Sequence, residues 1–288
     1  MKLAASQYAM TLFADFDAFA ENLIDHCREA KDAGAELLLL PEYAAMVMTG
    51  LLAPDVRADL HASIAELQQF LPRWLELSEE IARNLDIVFC PGSAPVKDSD
   101  GHYRNRAWLF GPDGMIGHQD KIMMTRFEKE QWGISSGQGL KAFDTPIGRL
   151  GMLICYDNEF PMLARRLAER DADLILAPSC TDTEAGYYRV RIGAQARALE
   201  NQIAVLVSPT AGSAPWSPAV DENFGKSALY VPSDYGMPPS GVIGESESVF
   251  TEASRWSFFD IDLDAVRLLR REGQVFTRRD WPDQFGKH

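Results

Sequence analysis

The sequence predicts an α/β fold: a mixed β-sheet covered by helices, best arranged as a two-sheet sandwich with the helices outside. Three observations predict it. Apolar runs of strand length alternate with stretches of helical periodicity through the first half of the chain. Two Gly/Pro-centred turns between strand candidates add hairpins to what would otherwise be a parallel sheet. Several helical stretches are one-sided, so each has one face to bury. With 288 residues, 46% of them hydrophobic and 24% charged, the chain can fill one large core, and it has no internal repeat or evident linker.

Lys2–Tyr8 is the first strand candidate. Phe16, Phe19, Leu23, Ile24, Cys27 and Ala30 recur at helical spacing, with Asp15 placed to cap and Gly34 to stop that helix. Glu36–Leu40 reads as a buried strand. Residues 61–84 read as a helical region interrupted near Pro72, and Ile87–Cys90 as a strand closed by Pro91-Gly92. Arg106–Phe110 and Met115–His118 flank Gly111-Pro112-Asp113-Gly114, a hairpin signal. A second hairpin joins Lys141–Asp144 to Arg149–Cys155 through Thr145-Pro146-Ile147-Gly148. Pro161 suits the first turn of a helix over 160–170. Asp173–Ala177 reads as a strand, 186–201 as a helix and Ile203–Ser208 as a strand. Residues 212–225 read as a long loop of the kind that usually carries function. Lys226–Val231, Gly241–Ile243, Ser248–Thr251 and Trp256–Asp262 read as hairpin strands. This gives one domain over 1–265 and a C-terminal tail over 266–288.

Charge and motifs exclude several functions. The 28 Lys+Arg against 42 Asp+Glu leave a net charge of −14, which repels phosphate backbones, so no nucleic-acid partner is expected. No run approaches the ~18 apolar residues that span a bilayer, and Met1–Gln7 reads as a strand, so the expectation is a cytoplasmic protein without a membrane partner. Cys27, Cys90, Cys155 and Cys180 are scattered, the five histidines do not cluster, and H-E-x-x-H is absent. No zinc site and no redox motif is expected from them. There is no G-x-S-x-G elbow. Gly137-Gln138-Gly139-Leu140-Lys141-Ala142 loosely matches a dinucleotide fingerprint, but it precedes a strand instead of opening a helix.

Three segments carry chemistry. Glu42 follows the apolar run Leu37–Leu40. Cys155 closes the run Leu150–Ile154 ahead of a helix start, where a thiolate can be favoured. Lys121 ends a hairpin in the charged stretch Gln119–Glu130. Ligand sites in α/β sheets gather at the carboxyl ends of strands, so the Glu42 and Cys155 segments can meet in one crevice.

Taken together these segments resemble the nitrilase (carbon–nitrogen hydrolase) superfamily. Leu-Pro-Glu-Tyr at Glu42, Asp-Lys-Ile at Lys121 and Ile-Cys-Tyr-Asp at Cys155 stand in the family's order, 79 and 34 residues apart. Trp132–Gly137, Asn158–Pro161 and Arg197–Asn201 extend the likeness over residues 2–262. The Ile-Ser-Ser-Gly stretch after Trp132 is similar to a little-characterised bacterial branch. The resemblance implies an α-β-β-α four-layer sandwich, commonly dimerised through helices, so a homodimer is expected. It also implies a cysteine-dependent hydrolase of non-peptide C–N bonds that requires no metal and no organic cofactor. Cys155 would be the nucleophile, Glu42 the proton carrier, and Lys121 the oxyanion stabiliser with the Tyr156 N–H. Glu128, with Glu130 as competitor, would be the second glutamate; Tyr43, Tyr156 and Asn158 would line the pocket. An amidase acting on a small linear amide is favoured over a nitrilase, an N-carbamoyl amide hydrolase, an acyl transferase or a non-catalytic interaction module. Arg189 or Arg191 could hold a substrate carboxylate or lie at the surface.

Overall fold

Strand β1 (Lys2–Ala9) is the hub of the fold, buried from Leu3 onward. In the computed structural model, which describes residues 1–286, it runs parallel to β2 (Leu37–Leu39), which runs parallel to β3 (Val88–Cys90). Next comes β5 (Tyr103–Gly111), antiparallel to β3 and flanked by β4 (Ser93–Lys97) and β6 (Gly114–Asp120). The other edge of β1 takes β14 (Arg255–Asp260) antiparallel along Lys2–Gln7. At Tyr8 and Ala9 it meets β10 (Ala204–Ser213) in parallel. Strand β10 opens a second layer through β9 (Leu174–Ser179), β8 (Gly148–Met152) and β7 (Ala142–Thr145). It also pairs with β11 (Glu222–Asn223) and β12 (Ala228–Tyr230), and β12 with β13 (Val242–Glu245). The expected two sheets are therefore joined through the β1–β10 pairs into one curled system of fourteen strands among the described residues.

Residue parity explains the layers. Leu3, Ala5, Leu37, Leu39, Val88, Cys90, Ala107 and Leu109 face the second layer. Their alternates Ala4, Tyr8, Leu38, Leu40, Phe89, Trp108 and Phe110 face α1 (Phe16–Asp32) and α4 (Leu71–Leu85). Strands buried on both faces read as unbroken apolar runs, as Leu37–Leu40 does. Each such leucine contributes roughly 1.5–3 kcal/mol by leaving water. On the far side α5 (Pro161–Ala168) and α6 (Glu184–Asn201) cover the second layer with Ala164, Leu167, Ala194 and Ala198. The architecture is the α-β-β-α sandwich.

The predicted Asp15 cap holds: its Oδ1 accepts the Ala18 N–H at 2.9 Å. The start of α6 is capped in the same way by Thr183, whose Oγ1 accepts the Gly186 N–H at 3.1 Å. The break expected near Pro72 is present, between α3 (Leu60–Leu67) and α4, with the short α2 (Pro54–Arg57) ahead of them; five other local readings differ. Pro72 lies in the first turn of α4, where its missing N–H costs nothing. Strand β4 escaped the pattern because Pro95 interrupts it, and an edge strand tolerates that. The 212–225 stretch is the turn of a hairpin, β10 into β11. Ser248–Thr251 forms no strand; the Ser248 carbonyl instead accepts from Gln7 Nε2 at 2.7 Å. Strand β8 ends at Met152, short of Cys155. A further helix, α7 (Leu263–Glu272), spans position 265 and buries Val266 and Leu269. Among the described residues no helix is long and apolar enough to cross a membrane.

Candidate active site

Glu42 follows β2 at the point where the chain turns sharply into a buried 3-10 helix (Ala44–Leu51). The turn needs Tyr43 in the left-handed region at φ 58° and Gly92 beside it, where a Cβ would collide with the Pro41 carbonyl. Cys155 is the second left-handed residue of the site, at φ 47°, and opens a 3-10 turn (Cys155–Glu159). A non-glycine residue held there costs of order 1–3 kcal/mol and needs support from its surroundings.

Asp157 supplies that support. Its carboxylate accepts the Ile154 N–H at 3.1 Å, just before the cysteine, and the Met123 and Ile122 N–H groups at 2.8 and 3.2 Å, just after Lys121. One buried side chain thus ties the lysine segment to the cysteine turn. Helix α6 closes the turn from behind. A Cβ on Gly193 would lie 2.7 Å from the Asn158 carbonyl, which also accepts from Arg197 Nη1 at 3.1 Å.

Lys121 is 1% exposed and lies between two carboxylates, Glu42 Oε1 and Glu128 Oε2, each 2.7 Å from its Nζ. Glu128 begins a π-helical turn (Glu128–Trp132) and is itself buried. Its oxygens also accept from Tyr43 OH at 2.7 Å and from the Thr125 N–H and hydroxyl, both at 2.9 Å. Glu130, by contrast, is exposed and pairs with Arg126 at 2.8 Å. Asn105, fully buried on β5, donates through Nδ2 to Glu42 Oε1 at 2.8 Å and to Glu128 Oε1 at 3.2 Å.

Burial pushes the Glu42 carboxyl above its ordinary value despite the pull of Lys121. Burial also opposes the Lys121 charge, but Glu128 and Glu42 outweigh it and hold the ammonium well above the usual lysine range. Glu128 goes the other way: burial is overcome by Lys121, Tyr43 and Thr125, and its carboxyl is held low. Burial and the neighbouring Glu42 push the Cys155 thiol well up. The resting sulfur is therefore a thiol, and it donates to the Cys180 carbonyl at 3.4 Å. Glu42 can accept a proton, Lys121 can stabilise negative charge, and Cys155 can attack once deprotonated.

These groups close off one cavity of about 570 Å³. Tyr43, Tyr156, Trp132 and Cys180 also line it. Asn158 does not, contrary to expectation. It is fully buried, and its Nδ2 donates to the Leu153 and Cys155 carbonyls at 2.9 and 3.1 Å, so it braces the turn. Arg191 is also turned away, onto Glu245 at 2.7 Å, whereas Arg189 reaches the cavity and pairs with Glu159 at 3.3 Å. Sequence reasoning missed Asn105, Thr125 and Asp157 as partners of the site. The signal for Asn105 was available: it shares its strand face with Ala107 and Leu109, where an amide needs a buried partner.

Burial lifts the Asp157 carboxyl from 3.8 to about 7, against Lys121 and the backbone donors. Its ionisation in the fold therefore lowers stability as pH rises from about 4 to 7, the range between its unfolded and folded values. Urea titrations of Asp157→Asn should lack that slope. Asp157→Ala, which strands three N–H donors, should lose of order 3 kcal/mol.

Residues 2–256 match the family model for carbon–nitrogen hydrolases. The chain is 31% identical over 280 residues to the probable hydrolase YhcX of Bacillus subtilis (strain 168), covering 97% of this chain and 53% of that protein. It therefore spans about half the length of that relative. To omega-amidase NIT2 of Bos taurus it is 28% identical over 275 residues, 90% of each chain. A carbon–nitrogen hydrolase structure from Helicobacter pylori G27 superposes with a TM-score of 0.76 over 100% of this chain and 95% of that one, at 17% identity, a likeness of fold. With a family model matched over nearly its whole length, the chain belongs to the carbon–nitrogen hydrolase family.

Proposed function

We propose that this protein hydrolyses the C–N bond of a small linear amide through a thioester on Cys155, releasing ammonia or an amine. The observation that carries the reading is the meeting of a thiol, a proton-accepting carboxylate and a fixed ammonium in one cavity. Amide is favoured over nitrile because relatives named omega-amidases align over nine-tenths of the chain.

In this reading Glu42 takes the thiol proton and Sγ attacks the amide carbonyl carbon. The oxyanion forms near Lys121 Nζ and the Tyr156 N–H, which lies in the first turn ahead of the first helical bond, Asp157 N–H to Ile154 O. Such a donor lowers the barrier by roughly 3–4 kcal/mol. Glu42 then gives its proton to the departing nitrogen, leaving the acyl group on sulfur. Water follows, deprotonated by Glu42, and the thiol is released with the acid. Glu128, Tyr43 and Asn105 hold the lysine and the base in place and do not touch the substrate carbonyl.

The test is a panel of small amides, carbamoyl compounds and nitriles, followed by ammonia release, product identity and intact mass. Acid plus ammonia from an amide is expected, with hydroxamate when hydroxylamine intercepts the thioester. Nitrile-only turnover, or no turnover and no adduct on Cys155, would overturn the reading.

A further inference from the structure

A carboxylate oxygen has room for about two hydrogen-bond donors. Of the four oxygens on the buried pair Glu42 and Glu128, three are full. Glu128 Oε1 accepts from Tyr43 OH at 2.7 Å and from Asn105 Nδ2 at 3.2 Å. Glu128 Oε2 accepts from Lys121 Nζ at 2.7 Å and from the Thr125 N–H and hydroxyl, both at 2.9 Å. Glu42 Oε1 accepts from Lys121 Nζ at 2.7 Å and from Asn105 Nδ2 at 2.8 Å. Among the described residues both of these bonds to Glu42 end on Oε1, and none ends on Oε2. The Cys155 thiol also acts on the Glu42 carboxylate, and Oε2 is the oxygen left open to it.

Asn105 is the neutral group that fills Oε1. It is fully buried, and its own Oδ1 finds no donor among the described residues. Turning the amide over would set Oδ1 against two carboxylate oxygens, so the charges fix Nδ2 toward them. An orphaned buried acceptor costs stability, and the fold keeps one here beside the base. The same residue also holds the lysine through its backbone: the Asn105 carbonyl accepts the Lys121 N–H at 2.8 Å. One residue of β5 therefore sets the carboxylate and the ammonium against each other.

We propose that Asn105 is a positioning residue: with Lys121 it fills Oε1 of Glu42, so that the proton passes from the Cys155 thiol to the departing nitrogen through Oε2 alone. This rests on the amidase reading above and adds the proton's route to it. The S–H bond breaks as the Oε2–H bond forms, and that bond breaks in turn as the new N–H bond forms on the leaving amine. The Asn105 N–H bonds stay intact throughout. Glu128, with both oxygens full, carries no proton in the cycle. The titratable groups facing Glu42 are Lys121, Glu128, Tyr43, Cys155 and Cys180, and a substitution at 105 alters none of them. A donor to the carboxylate favours its charged form, so losing Asn105 Nδ2 makes Glu42 harder to ionise.

The test compares the parent, Asn105→Leu and Tyr43→Phe on an amide that the parent hydrolyses. Each variant removes one donor from the cluster, but only Asn105→Leu takes it from Glu42. In Asn105→Leu, kcat near neutral pH should fall about 10- to 100-fold while KM changes less than about threefold. The acid limb of its kcat/KM profile should move up by about one pH unit. Tyr43→Phe should leave that limb within about 0.3 unit of the parent. Asn105→Ser, whose hydroxyl still donates, should move the limb in the same direction by less, and it carries the test if Asn105→Leu fails to fold. Equal shifts in Asn105→Leu and Tyr43→Phe, or variants at 105 that lose kcat with the limb unmoved, would overturn the positioning role and leave the amidase reading standing. A parent that hydrolyses no amide would overturn both.

Discussion

Replacing Cys155 by alanine is expected to reduce ammonia release from any amide substrate at least about 10⁴-fold, the scale on which removing a nucleophile acts when base and oxyanion donors remain. The loss should come without a large stability change. The thiol makes one long hydrogen bond, to the Cys180 carbonyl, and the left-handed backbone is held by Asp157 and α6 whichever side chain stands there. Activity and the transient mass adduct should vanish together while the denaturation midpoint stays close to that of the parent. The pH profile of the parent should show an acid limb above the ordinary carboxylate value. In the proposed mechanism the working form needs Glu42 ionised, and burial raises that group. A midpoint below 4.5 for that limb, or an alanine variant that still releases ammonia, would remove Glu42 and Cys155 from their roles.

Lys121→Met should be the most damaging single change to the fold of the site. It leaves Glu42 and Glu128 buried with one shared donor, Asn105 Nδ2, where an ammonium had touched both. Breaking a buried ion pair from one side costs roughly 3–5 kcal/mol. The pH dependence has a definite sign. In the parent, Glu128 is held low, so its contribution is lost as pH falls through its folded value, and the raised Glu42 pulls the slope the other way. Without the lysine both carboxyls are raised, and the variant should lose stability as pH rises from about 4 upward. Urea denaturation at several pH values reads this directly. Glu42→Gln is the control: it removes the proposed base, keeps an oxygen for Lys121, and should abolish turnover with far less loss of stability.

The sequence made the strands legible where both faces are buried, since Leu37–Leu40 and Leu150–Ile154 admit few other readings. Taken singly, Glu42, Lys121 and Cys155 read as ordinary polar residues at strand or hairpin ends or as a packing thiol; only their ordered set, through its resemblance to the nitrilase superfamily, singled them out. Conformation at those ends was not legible. The continuous apolar run hides the point where β8 stops and the chain enters the left-handed turn at Cys155, since that turn is held by contacts from residues 122, 123 and 193. Asn158 misled through nearness in sequence, because its side chain folds back on the carbonyls of its own turn. Asn105 was obscured by its neighbours Arg104 and Arg106, whose ion pairs with Asp98, Asp100 and Asp120 make the segment look like an ordinary charged surface.

The position of β1 sets an order of events during synthesis. One edge of this strand can pair as soon as residues 37–39 have been made. Its other edge must wait for β10 and for Arg255–Asp260, more than two hundred residues later. Throughout that interval an apolar strand presents open backbone donors and acceptors, the condition under which nascent chains associate edge to edge. A ribosome-bound chain halted before residue 255 should therefore depend on holdase chaperones, and that dependence should end once β14 emerges.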